Sequence, residues 1–129
     1  YSGYQALYHI LGKTSKINFN LIPSCVFSFP EVSWIGASEE HCKRLGMIYE
    51  VHKGSYRSNG KAQAMNEVEG MIKVITSDNY IIGASIIGYD ASTLIHEIAL
   101  AIYNKMTVDT FKDVIHAHPT LNEIFTSCF

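Results

Sequence analysis

The stretch of the chain densest in chemistry is His116-Ala117-His118-Pro119-Thr120-Leu121-Asn122-Glu123, two imidazoles and a carboxylate in a short span. A histidine with an ordinary pKa of ~6.5 takes and returns protons at neutral pH. A carboxylate on its other ring nitrogen orients such a base and stabilises the cation that forms. Pro119 fixes its own φ and pushes His118 out of the helical region. The imidazole therefore sits on a rigid corner, and the His118–Pro119 bond is a candidate cis peptide. Thr120 and Glu123 also have the T-x-x-E spacing of a capping box. One reading makes Glu123 a helix cap and His118 a turn residue; the other pairs Glu123 with His118 for proton transfer. The two compete for one side chain, and Glu123 is not expected to serve the Thr120 amide and the His118 ring fully at once.

Other constellations carry less. His116 and His118 could share a metal with His96, Cys128 or a carboxylate, but nothing follows at a recognised ligand spacing, and no metal is expected. The segment from Gly54 to Gly60 and Lys61 approximates a phosphate loop. Its glycines are one residue too far apart, and Ala62 stands where Ser or Thr would reach magnesium. No GxGxxG follows an expected strand, so the chain has no dinucleotide fingerprint of its own. His9, His41, His52 and His96 are scattered singly. Cys25, Cys42 and Cys128 lie 17 and 86 residues apart, which excludes CxxC pairs, and so sparse and odd a set reads as reduced thiols of an intracellular protein.

The elements that must position these groups follow from pattern. At 129 residues, 47% of them apolar and 17% charged, the chain has the length of one domain and can bury a core. Disordered, coiled-coil and collagen-like classes are excluded. A formal charge of −2 without a basic stripe argues against nucleic acid. No apolar run is long enough for a bilayer and no secretory signal opens the chain, so no membrane partner is expected. Tyr4, Leu7, Tyr8 and Leu11 predict a helix over residues 1–11, stopped at Gly12. Its uncapped start suggests a polypeptide cut from something longer, and residues 13–20 read as a linker. Short strands are expected at 25–29 and 32–35, broken by Pro23, Pro30 and Gly36. Ser38 caps a short helix that Gly46 closes. Alternation predicts a strand over 47–52, and residues 54–66 read as a polar loop. Runs at 71–77 and 80–87, joined by Asp78-Asn79, predict a hairpin. Asp90 is expected to cap a long helix with Leu94, Ile95, Ile98, Ala99 and Ile102 on one face. Thr107 begins another with Val108, Phe111 and Ile115 inward, and Thr120 begins a last short one. This order predicts an α+β fold, a mostly antiparallel sheet flanked by helices.

The octapeptide at 116–123 resembles the C-terminal motif of dihydrolipoamide dehydrogenases, members of the pyridine nucleotide-disulfide oxidoreductase family. IPSCVFSFPEVSWIG at 22–36 is similar to the segment that opens this family's dimerisation domain. SNGKA at 58–62, EGMIKV at 69–74 and IGASIIG at 82–88 fall at the intervals the family shows. The likeness covers residues 20–129, while 1–19 look like the last helix of a preceding FAD domain and its exit linker. Asn122 stands where the family usually has Ser, and Ile124 follows the Glu.

The resemblance implies an FAD- and NAD-dependent oxidoreductase that reoxidises dihydrolipoamide in 2-oxoacid dehydrogenase complexes. The catalytic base carries over to His118 and its carboxylate partner to Glu123, with Pro119 and Thr120 structural, and it favours that pairing over the cap. A weaker implication places the backbone of His116 near the partner subunit's flavin. It also implies a homodimer that meets lipoyl domains, and no FAD or NAD bound to this chain by itself. Nothing resembles a transit peptide, so a cytoplasmic location is expected, or a mitochondrial or plastid matrix in a eukaryote. The alternative is a non-enzymatic α+β dimerisation or small-ligand regulatory module in which the His–Glu motif is structural.

Overall fold

The computed structural model describes residues 1–14 and 17–129. At its centre is the hairpin of β4 (Met71–Ser77) and β5 (Tyr80–Gly88). Asp78 and Asn79 both take positive φ (49° and 67°), the conformation a two-residue turn needs to match strand twist. Around it lie β1 (Ser24–Val26), β2 (Glu31–Gly36) and β3 (Glu50–Ser55), and all neighbours are antiparallel in the order β1-β2-β5-β4-β3. The expected α+β architecture is therefore the observed one.

Register separates the two faces. Ser33, Ile86, Ile72 and Gly54 form one cross-strand row and Ile35, Ala84, Val74 and His52 the next. Against this face packs α4 (Ala91–Tyr103), burying Leu94, Ile95, Ile98 and Ala101. On the other face, α2 (Glu39–Leu45) is capped by the Ser38 hydroxyl, which accepts from the His41 amide, and ends at left-handed Gly46. Lys73 donates to Glu39 at 2.7 Å, tying that helix to β4.

Several expectations shift. The strand predicted over 47–52 begins at Glu50 and runs to Ser55 as β3, because alternation has no phase and pairing with β4 sets it. The first strand stops at Val26, leaving Phe27 and Phe29 exposed. Residues 54–66 are not a polar loop. They complete β3, form a 3-10 turn (Tyr56–Ser58) and enter α3 (Gly60–Met65), with Tyr56 fully buried. Asp90 stands at the N-cap of α4 but makes no capping bond; Glu31 of β2 does so instead, accepting from the Ser92 amide at 2.9 Å. The helix after Thr107, α5 (Val108–Lys112), ends before Ile115, which is 96% exposed rather than inward.

At the N-terminus α1 (Ser2–Ile10) forms as expected, yet it buries none of its residues and leaves its apolar stripe open. Of the linker reading, residues 15 and 16 lie outside the described residues. Among the described residues no helix is long and apolar enough to cross a membrane.

Candidate active site

After α5 the chain runs without regular structure to the bend at His118, and then enters a 3-10 turn (Leu121–Ile124). The turn stands directly on β3. At Gly54 an added Cβ would lie 2.9 Å from the Ile124 carbonyl and 2.8 Å from Cys128 Sγ, so only glycine admits this approach. Ile124 and Phe125 are fully buried beside it, and Phe111 meets the Phe125 ring edge-on. The bend is thus mounted on the core while its tip faces outward.

The tip carries His118 and Glu123. The His118–Pro119 bond is cis, as the sequence made possible. His118 Nδ1 lies 2.9 Å from Glu123 Oε1, with the ring side chain 78% exposed and the glutamate 28%. A carboxylate only accepts, so Nδ1 carries the proton donated to it, and in the neutral ring Nε2 is left with a bare lone pair. Among the described residues nothing engages Nε2. The same carboxylate accepts the Thr120 amide on Oε2 at 2.9 Å. The expectation that the cap and the pairing exclude one another is therefore wrong: each oxygen takes one donor. Those two donors, the amide first and the His118 side chain second, hold the Glu123 carboxyl below the usual range. Thr120 also donates its hydroxyl to the Ala117 carbonyl at 2.7 Å, closing the bend.

His116 behaves differently from His118. Its side chain is only 10% exposed, leans toward the Phe125 ring, and meets Glu97 Oε1 of α4 through Nε2 at 2.6 Å. The two imidazoles are committed to separate carboxylates, and among the described residues no cluster of three or more His, Cys, Asp or Glu could hold a metal.

Two further residues support the bend that sequence reasoning did not single out. Asn59, buried ahead of α3, donates its amide to the Thr120 and Leu121 carbonyls (3.1 and 3.2 Å) while its oxygen caps α3 at Ala62 N. Glu97 takes the Asn122 amide on Oε2 at 2.6 Å as well as His116. The Glu97 signal was present in the sequence, because it falls three residues after Leu94 and four before Ala101, on the inner side of α4. A carboxylate there requires a partner. For Asn59 the signal was an Asn before Gly-Lys-Ala, a helix N-cap pattern.

Residues 22–128 match the family described as pyridine nucleotide-disulphide oxidoreductase, dimerisation domain. The dihydrolipoyl dehydrogenase of Chlamydia muridarum is 39% identical over 127 residues, which are 97% of this chain and 27% of the relative. That of Bacillus subtilis is 40% identical over 126 residues, 96% of this chain and 27% of the relative. This chain therefore spans about a quarter of the length of these curated relatives. Among solved structures, LpdA from Mycobacterium tuberculosis superposes with a TM-score of 0.86 at 26% identity, over 98% of this chain and 28% of that one. The HOCl-induced flavoprotein disulfide reductase RclA from Escherichia coli shares the fold, with a TM-score of 0.88 at 23% identity over 98% of this chain and 30% of that one.

Proposed function

Because this chain belongs to the pyridine nucleotide-disulphide oxidoreductase dimerisation-domain family, we propose that it works as the C-terminal domain of a dihydrolipoyl dehydrogenase. In this reading residues 1–19 close a preceding FAD domain and 20–129 form the dimerisation domain. The observation that carries the catalytic part is the His118–Glu123 pair: an outward imidazole, its Nδ1 held at 2.9 Å by a carboxylate and its Nε2 free to accept.

The chemistry follows from acid strength. A lipoyl dithiol near pKa ~8.5 is mostly protonated at neutral pH, and only a thiolate attacks a disulfide. His118 Nε2 takes the proton of the attacking thiol, and the imidazolium is stabilised through Nδ1 by Glu123. The dithiol is oxidised to a disulfide and the enzyme's own redox disulfide, on another domain, is reduced to two thiols. In the intact enzyme, bound FAD and NAD would supply the onward path for those electrons. They are held elsewhere: an all-antiparallel sheet lacks the parallel βαβ crossover that forms a dinucleotide crevice, so this chain's residues do not fit either cofactor by themselves. In the intact enzyme the backbone of His116 would lie near the partner subunit's flavin, as the family resemblance implies.

The enzyme is a homodimer in this reading, each dyad reaching the other subunit's disulfide, with lipoyl domains of 2-oxoacid dehydrogenase complexes as the substrate carriers. Its place is the bacterial cytoplasm, or an organelle matrix in a eukaryote. The test is His118→Gln in the full-length enzyme. Turnover of dihydrolipoamide should fall by ~10²–10⁴, with flavin content unchanged and the 129-residue chain alone inactive. Activity within a few-fold of wild type would leave a structural module as the better reading.

A further inference from the structure

We propose that Glu97 is the positioning residue for His118: a single carboxylate on α4 that holds both arms of the bend carrying the base. The inference rests on the reading of His118 as the proton acceptor.

Geometry places Glu97 at the root of the bend. Oε1 meets His116 Nε2 at 2.6 Å, two residues before His118; Oε2 accepts the Asn122 amide at 2.6 Å, one residue before Glu123. One side chain thus fastens the arm leading to the imidazole and the arm leading to its acid. Backbone does not do this work. Among the described residues no hydrogen bond is donated by the main chain of Ile115, His116, Ala117 or His118, so the position of the tip depends on side chains.

The strengths are graded in the right direction. The His116–Glu97 contact is short, charge-assisted and well buried, with the imidazole 10% exposed and the carboxylate 23%, whereas the His118 ring at the tip is 78% exposed. Glu97 itself rides on α4, whose Ile95 and Ile98 are fully buried against the sheet. Rigidity is passed from the core through one carboxylate to two arms, and the tip keeps an open face for substrate. The chain's Asn at 122 matters here, because its amide reaches Glu97 and recruits the second arm.

With Glu97→Ala, the His116 Nε2–H and the Asn122 amide both lose their acceptor, and the bend keeps the bonds of Asn59 and Thr120, the His118–Glu123 contact and the packing of Ile124 and Phe125. Glu97→Gln can keep its oxygen on His116 Nε2–H and donate its amide to the Asn122 side-chain oxygen once that side chain flips, so His116 Nδ1, buried and without a partner among the described residues, need not take the proton. The ring would sit slightly off its mark in the first variant and stay in place in the second.

The test reads the ring itself by ¹⁵N imidazole NMR of the 129-residue chain, at a pH above the titration of His118. Wild type should show one tautomer for His118, protonated at Nδ1. In Glu97→Ala the two ring-nitrogen shifts should move toward each other as tautomers mix, and Glu97→Gln should restore them. In the full-length enzyme the Ala variant should lose roughly ten- to hundredfold in kcat with little change in KM. A folded Ala variant with unchanged His118 shifts would overturn the proposal. Should the Ala variant not fold, Asn122→Ser releases one arm only; partial mixing supports the proposal and an unmoved ring overturns it. Failure of the functional reading shows up separately, as His118→Gln turnover near wild type.

Discussion

Asn59 offers the sharpest test of how the bend is anchored. Its side chain is buried and makes three bonds: one accepted from Ala62 N at 2.9 Å, and two donated to the Thr120 and Leu121 carbonyls at 3.1 and 3.2 Å. Asn59→Ala removes a helix N-cap, worth about 1 kcal/mol, and two bonds each worth about 1 kcal/mol. Both carbonyls belong to half-buried residues and recover part of that loss from water, so the expected destabilisation is about 2–3 kcal/mol. Asn59→Asp separates the contributions. The aspartate keeps the cap oxygen but turns a second oxygen toward two carbonyl oxygens, so at neutral pH it should destabilise at least as much as alanine. The carbonyls and burial disfavour its charged form, so its folded pKa is raised. A raised acid contributes stability that is whole below the unfolded pKa and is lost as pH climbs through the folded one. The Asp variant should therefore recover toward wild type on acidification while the Ala variant does not. Urea unfolding followed by circular dichroism at pH 7 and pH 4 reads all of this. An alanine cost below about 0.5 kcal/mol, or an aspartate as stable as asparagine at pH 7, would refute the anchoring.

Three further outcomes are expected. Glu123 should titrate below an ordinary glutamate by carboxyl ¹³C NMR, and its contribution to stability is present above the unfolded pKa and lost as pH falls through the depressed folded value. Since the Thr120 amide is the larger cause, His118→Ala should raise that midpoint only partway; full return to normal would contradict the ordering. Ile98 is fully buried between α4 and the sheet, so Ile98→Ala should cost about 2–5 kcal/mol in urea unfolding. Burial pushes the Cys128 thiol up to about 12, so iodoacetamide at pH 8 should label half-buried Cys25 first and reach Cys42 and Cys128 only on unfolding, as mass spectrometry of the labelled peptides would show.

What could be read from the sequence was what is decided locally. The β4–β5 turn was legible because Asp78-Asn79 tolerate the positive φ it demands, and α2 because Ser38 and Gly46 mark its two ends. Illegible features are those decided by distant partners. The phase of β3 is set by pairing Glu50 with Thr76 through Ser55 with Met71. Tyr56 looked like part of a polar loop, yet its ring is buried against Gly88, where an added Cβ would sit 2.4 Å from it, and its hydroxyl donates to the Tyr89 carbonyl. Glu31 caps α4 from sixty-one residues away, a role the nearer Asp90 appeared to fill. The candidate site divides in the same way. His118 and Glu123 lie five residues apart and announce themselves, whereas Asn59 and Glu97 reach the bend from other elements.

The relation between the cap and the pair at Glu123 is also one of support rather than competition. A free glutamate side chain turns about its terminal torsion, so a histidine partner alone would fix its distance and not its plane. With Oε2 fastened to the Thr120 amide at 2.9 Å, Oε1 has one direction left, and His118 Nδ1 lies along it at 2.9 Å. The amide is fixed in turn, because the Asn59 side chain holds the carbonyl of the same residue and Glu97 holds Asn122 one position before the acid. Removing the cap would therefore loosen the tautomer of His118 before it loosened the turn. In the role of base proposed for His118, a proton that must stay on one nitrogen gains more from that order than from a carboxylate devoted to it alone.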